Sequence, residues 1–141
     1  MAVSGSRATV RQPDLLVLTE ESYTAVSNMS RSLITPDMPP PELVVEVVSP
    51  GKENANRDYR FKRSEYAARR ATPHHLRVPG NARVKGIAEY WIIDPKLLQV
   101  VILTLVDGLY GEAVYRNEEL LVSRSFPAIN LTAKQVLQIE E

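Results

Sequence analysis

The stretch Pro41-Glu42-Leu43-Val44-Val45-Glu46-Val47-Val48-Ser49-Pro50 constrains this chain more than any other, because it sets one acidic residue inside a proline-bracketed apolar run. β-Branched residues fill Val44 to Val48 except at Glu46, so the run predicts a buried strand rather than a helix. Side chains alternate across a strand. Glu46 therefore shares a face with Val44 and Val48, while Leu43, Val45 and Val47 take the other, and both faces are expected to be buried. An ionised carboxyl group in such a strand needs a cation, a metal or several donors. Without them it costs several kcal/mol or neutralises.

The surroundings limit what that chemistry can be. With 141 residues and 44% hydrophobic content, the chain suits one domain spanning residues 1–141 with a real core. Lysine plus arginine and aspartate plus glutamate stand at 17 each, so the overall field exerts no strong pull on nucleic acid or membrane. Any basic surface must be local. The absence of cysteine excludes disulfides, zinc–thiolate sites and thiol nucleophiles, and with only 2 histidines a metal site would be built from oxygen donors. Such donors favour magnesium, manganese or calcium. No run approaches the roughly 20 apolar residues of a membrane span and no secretory pattern opens the chain, so a cytoplasmic protein without membrane contact is expected.

Around the central run, Thr9 to Leu18 predicts a strand with Pro13 at its entry and Asp14 at its start. Thr19 is the candidate cap of a short helix, with Ser22 three positions on, and the proline-rich segment Ser27 to Pro40 is a loop. Arg57 to Arg70 reads as a helix capped by Asn56, with Asp58, Lys62 and Tyr66 on one face. Arg69 to Lys85 is basic, free of acidic residues and broken by Pro73 and Pro79-Gly80, so it is a surface loop. Glu89 to Pro95 and Leu97 to Val106 are further strands. Asp107-Gly108 is a hairpin signal leading to a strand over Leu109 to Tyr115. A short strand at Leu120 to Ser123 and a helix over Thr132 to Ile139 complete a mixed α/β pattern.

Asp14, Glu46 and Lys62 are the residue types that metal-assisted phosphodiester hydrolysis needs. Two carboxylates can hold a divalent ion that polarises the phosphate, and an ammonium offsets charge growing on it. Each also has a structural reading. Asp14 fits strand-entry polarity after proline, Glu46 fits a buried salt bridge to an arginine, and Lys62 fits an i,i+4 pair with Asp58. Such an exposed pair is worth about a few tenths of a kcal/mol. His74-His75 reads as solvated loop rather than a metal pair, Trp91 as core packing rather than a base-stacking platform, and Asp94 as the holder of a turn.

The ordered set Arg11-Gln12-Pro13-Asp14-Leu15, then Pro41 to Pro50, then Asp58, Lys62 and Tyr66, then Glu89-Tyr90-Trp91-Ile92-Ile93-Asp94-Pro95 resembles the Uma family of restriction endonuclease-like proteins, within the PD-(D/E)XK nuclease superfamily. The likeness runs over residues 10–141. It implies an α/β (α+β) restriction-endonuclease-like fold, a mixed central sheet with a packed helix, and hydrolysis of DNA phosphodiester bonds with Mg²⁺, or Mn²⁺ in its place. By position it implies Pro13-Asp14 as the PD element, Glu46 as the acidic residue of the next strand, and Lys62 as the lysine displaced onto the following helix, since Val48 stands where the superfamily has lysine. Asp14 and Glu46 become metal ligands and Tyr66 a supporting residue. Against the family pattern the stretch before Pro13 is short, implying N-terminal truncation, residues 70–85 read as an inserted loop, and Glu42 replaces a frequent aspartate. The implied partner is DNA, with a homodimer as the implied assembly. The alternative expectation is an inactive or truncated nuclease-fold module that binds DNA or oligomerises.

Overall fold

The computed structural model describes residues 13–30, 33–35, 38–49, 51, 87–107 and 109–138. The helix expected over 57–70, with Asp58, Lys62 and Tyr66, and the basic loop 69–85, with His74, His75 and the inserted stretch 70–85, lie outside the described residues.

Five strands form one sheet in chain order: β1 (Leu15–Val17), β2 (Leu43–Val47), β3 (Glu89–Asp94), β4 (Gln99–Val106) and β5 (Leu109–Arg116). Connection length decides their directions. Short turns make β3–β4 and β4–β5 antiparallel, whereas the long connection between β2 and β3 permits a parallel crossover. β1 joins the far side of β2 antiparallel, in the register Leu15–Val45, Leu16–Val44 and Val17–Leu43. The sheet is mixed, as the sequence predicts.

Helix α1 (Glu20–Ser27) begins where expected: the Thr19 side chain accepts the Ser22 amide at 3.0 Å. Ser22 then does a second job. Its buried hydroxyl lies 3.1 Å from the Pro39 carbonyl and 2.9 Å from that of Pro40, tying α1 to the segment that feeds β2. Helix α2 (Ala133–Leu137) carries a full capping box of Thr132 and Gln135 and ends at Gln138, whose φ of 52° is left-handed.

Several elements differ from the sequence expectation; among the described residues β1 keeps only Leu15–Val17 of the strand expected over Thr9 to Leu18. β4 starts at Gln99 rather than Leu97, because Asp94 Oδ1 accepts the Lys96 and Leu97 amides at 3.1 and 3.0 Å and Leu98 turns at φ 51°. The short strand at Leu120 to Ser123 reduces to a single bridge between Leu120 and Thr132. Val47, at the end of β2, is 42% exposed and so leaves its face only partly covered. The hairpin holds: Asp107 takes φ 50°, the positive value that an Asp-Gly two-residue turn demands.

Alternation builds two apolar layers. One joins Val44 and Val48 to Tyr90, Ile92, Val101 and Leu103, and the other joins Leu43 and Val45 to Trp91, Val100, Ile102 and the flanking Leu121 and Ala133. Trp91 is core, as read from the sequence. Among the described residues no helix is long and apolar enough to cross a membrane.

Candidate functional site

Glu46 is 2% exposed near the end of β2, in register with Ile92 of β3, and it lies on the face of Val44 and Val48. The β1–β2 register, continued by one residue, sets Asp14 opposite it. The kind of pair follows from backbone direction. Val48 donates its amide to Ile93 of β3 at 2.8 Å, so even-numbered residues of β2 turn their amides to β3 and odd-numbered ones toward β1. The last observed pair is Leu15–Val45, and Asp14 lies one residue before β1; a ladder carried that one step further would meet Glu46 at a non-hydrogen-bonded position, where side chains are closest.

Asp14 also completes the sheet. β1 begins only at Leu15, so no backbone ladder meets the Val47 amide, and Asp14 Oδ2 accepts it at 2.7 Å. Strand-entry polarity is therefore part of what Asp14 does. Among the described residues no three metal-ligating side chains come together; carboxylate oxygens are the donor type that Mg²⁺ or Mn²⁺ takes, and Asp14 and Glu46 are the residues that would supply them. Val48, buried in the apolar layer, brings no charge to the position next along β2 on that face.

The same face carries a polar row one step further toward this end of the sheet. Asp94 of β3 pairs with Gln99 of β4, and Gln99 with Arg116 of β5. Asp94 and Gln99 are buried, and Arg116 Nη2 donates to Gln99 Oε1 at 2.6 Å. Asp94 holds the turn, as read from the sequence.

Glu89 received no role from the sequence, yet it is fully buried with a dense set of partners. On the opposite face from Glu46, Oε2 accepts from Trp91 Nε1 at 3.1 Å and Ser123 Oγ at 2.7 Å, while Oε1 accepts the amides of Arg124 at 2.6 Å and Ser125 at 3.3 Å. This carboxyl group fastens the segment after β5 onto β3. The signal that marks Glu46, an acidic residue in an apolar strand, was present at Glu89 too.

A mixed five-stranded sheet of this order, with short helices beside it and a buried carboxyl group in its second strand, is an α+β architecture. The model of the Uma2 family, described as "Putative restriction endonuclease", matches residues 3–134, and the chain belongs to that family. Among solved structures the chain is similar to one described as a "putative nuclease belonging to DUF820" from Anabaena variabilis, at 15% identity and a TM-score of 0.42. That match covers 70% of this chain and 44% of the other, so this chain spans less than half of the relative's length. No curated protein matches the chain.

Proposed function

We propose that this domain is a Mg²⁺-dependent endonuclease that hydrolyses DNA phosphodiester bonds, with Asp14 and Glu46 as metal ligands and Lys62 as the cation beside the reacting phosphate. The observation that supports this reading best is a buried Glu46 in β2 next to the end of the β1–β2 ladder, one residue past which the register carries Asp14. When bound, a divalent ion would polarise the phosphate and lower the pKa of a water, and Mn²⁺ would serve in its place. The rigid apolar strand orients Glu46, the Val47 amide orients Asp14, and Lys62 offsets charge on the phosphate in the transition state. DNA as partner and the cytoplasm as location belong to the same reading.

The test is cleavage of duplex DNA by the intact chain with Mg²⁺ or Mn²⁺, beside Asp14→Asn, Glu46→Ala and Lys62→Ala. Asp14→Asn keeps an acceptor for the Val47 amide while removing the charge, so it separates catalysis from strand closure. Each variant is expected to lose roughly two orders of magnitude in cleavage rate or more, with Asp14→Asn melting near the intact chain. Undiminished cleavage by Glu46→Ala and Lys62→Ala sinks the assignment. The second reading, an inactive module that binds DNA or oligomerises, is favoured by the Asp14–Val47 hydrogen bond, which gives Asp14 a structural task on its own. It predicts DNA binding that falls steeply with salt and survives loss of Glu46, without cleavage.

A further inference from the structure

We infer that Arg116 is a contact for a backbone phosphate of the DNA, on the sheet face that carries Glu46; this rests on the nuclease reading above. Three observations support it. The first is placement. Cross-strand register puts Glu46 in line with Ile92, Val101 and Val114, and Arg116 lies two residues beyond Val114 on β5, so its side chain leaves the sheet on the same face. Asp14 just before β1, Glu46 near the end of β2 and Arg116 at the end of β5 all sit at one end of the sheet. β2 and β5 are three strand spacings apart, about 14 Å, so Glu46 and Arg116 would face different, non-adjacent phosphates of one duplex.

The second observation is how the guanidinium is held. Gln99 is 6% exposed, and its Oε1 accepts from Arg116 Nη2 at 2.6 Å, so a buried neutral amide fixes the direction of an exposed cation. A carboxylate in that place would neutralise the charge. Gln99 positions it and leaves it in force, and a guanidinium has donors to spare for a phosphate.

The third is contrast. Glu119 lies close by, but its Oε2 accepts the Arg116 backbone amide at 2.6 Å rather than the guanidinium. Lys134 is paired with Glu118 at 3.1 Å. Among the described residues Arg116 makes no ion pair, so neutralising a phosphate would cost it no existing salt bridge. Asp94 and Glu112 share this face and oppose an anion, which confines the contact to the outer end of the arginine.

The experiment measures binding of a fluorescent DNA duplex by the full chain, without added metal, over a range of salt concentrations. Arg116→Gln is expected to weaken binding about tenfold at low salt and to reduce the slope of log affinity against log salt by about 0.9, one phosphate's worth. Arg116→Lys retains the charge and is expected to restore the slope. Arg124→Gln, on the opposite side of the sheet, is expected to bind like the intact chain. Equal slopes for Arg116→Gln and the intact chain, an equal loss in Arg124→Gln, or no DNA binding by the intact chain overturns the inference. Cleavage unaffected by Glu46→Ala, together with Arg116-dependent binding, would remove the proposed catalytic site and leave this contact standing.

Discussion

At the scale of the residue, burial decides what each polar group can do. Glu46 and Glu89 look alike in the sequence, each an acidic residue in an apolar strand, but they face opposite layers. Glu89 meets two amides, a hydroxyl and an indole N–H. Replacing Glu89 by Ala orphans those donors inside the protein and is expected to cost about 3–5 kcal/mol, read as a lowered urea midpoint. Tyr110 offers a pH test. Its hydroxyl donates to the Ile87 carbonyl at 2.7 Å, and burial pushes its pKa well above the usual tyrosine value. The folded chain therefore keeps a proton that the unfolded chain loses above about pH 10, and stability falls as pH rises beyond that point. Tyr110→Phe is expected to lie lower at neutral pH, by about 1 kcal/mol for the lost hydrogen bond, and to show a shallower alkaline decline in thermal melts. Glu46 was legible because one charge interrupts five apolar positions. Its alignment with Asp14 was legible only as neighbouring strands, since register depends on where β1 begins.

At the scale of the element, the local rules held where local chemistry suffices. Thr19 caps α1, Thr132 caps α2, and Asp107 takes the left-handed conformation the hairpin requires. Thr132→Ala removes the acceptor for the Gln135 amide and breaks the capping box, with an expected loss of about 1 kcal/mol in chemical denaturation. The departures have local causes as well. Asp94 accepts two amides of the following turn, so the chain stays bent through Leu98 and β4 begins late. Leu120 to Ser123 has strand composition, but Leu121 donates to the Leu131 carbonyl and Ser123 to Glu89, so its hydrogen bonds go to two different partners and no ladder forms.

At the scale of the whole molecule, five strands in sequential order put the Asp14–Glu46 pair between β1 and β2 and Arg116 at the other side of the sheet, on one face and at one end. The proposed metal ligands and the proposed phosphate contact thus lie on separate strands, which is why their tests are independent. The sequence by itself located all five strands of the sheet, the β4–β5 turn and which residues share a face, though not every strand limit, because β-branched runs, proline, Asp-Gly and the two-residue alternation act within a few positions. It also determined the family, through an ordered set of short motifs. Only the tertiary structure decided that Glu89 receives Ser123 and Arg124, that Ser22 anchors the Pro39-Pro40 carbonyls, and that Gln99 aims Arg116. Each of these contacts joins residues 17 to 35 positions apart. Such a bond exists once strand order, direction and register bring the two ends together, and no local preference at either end carries that information.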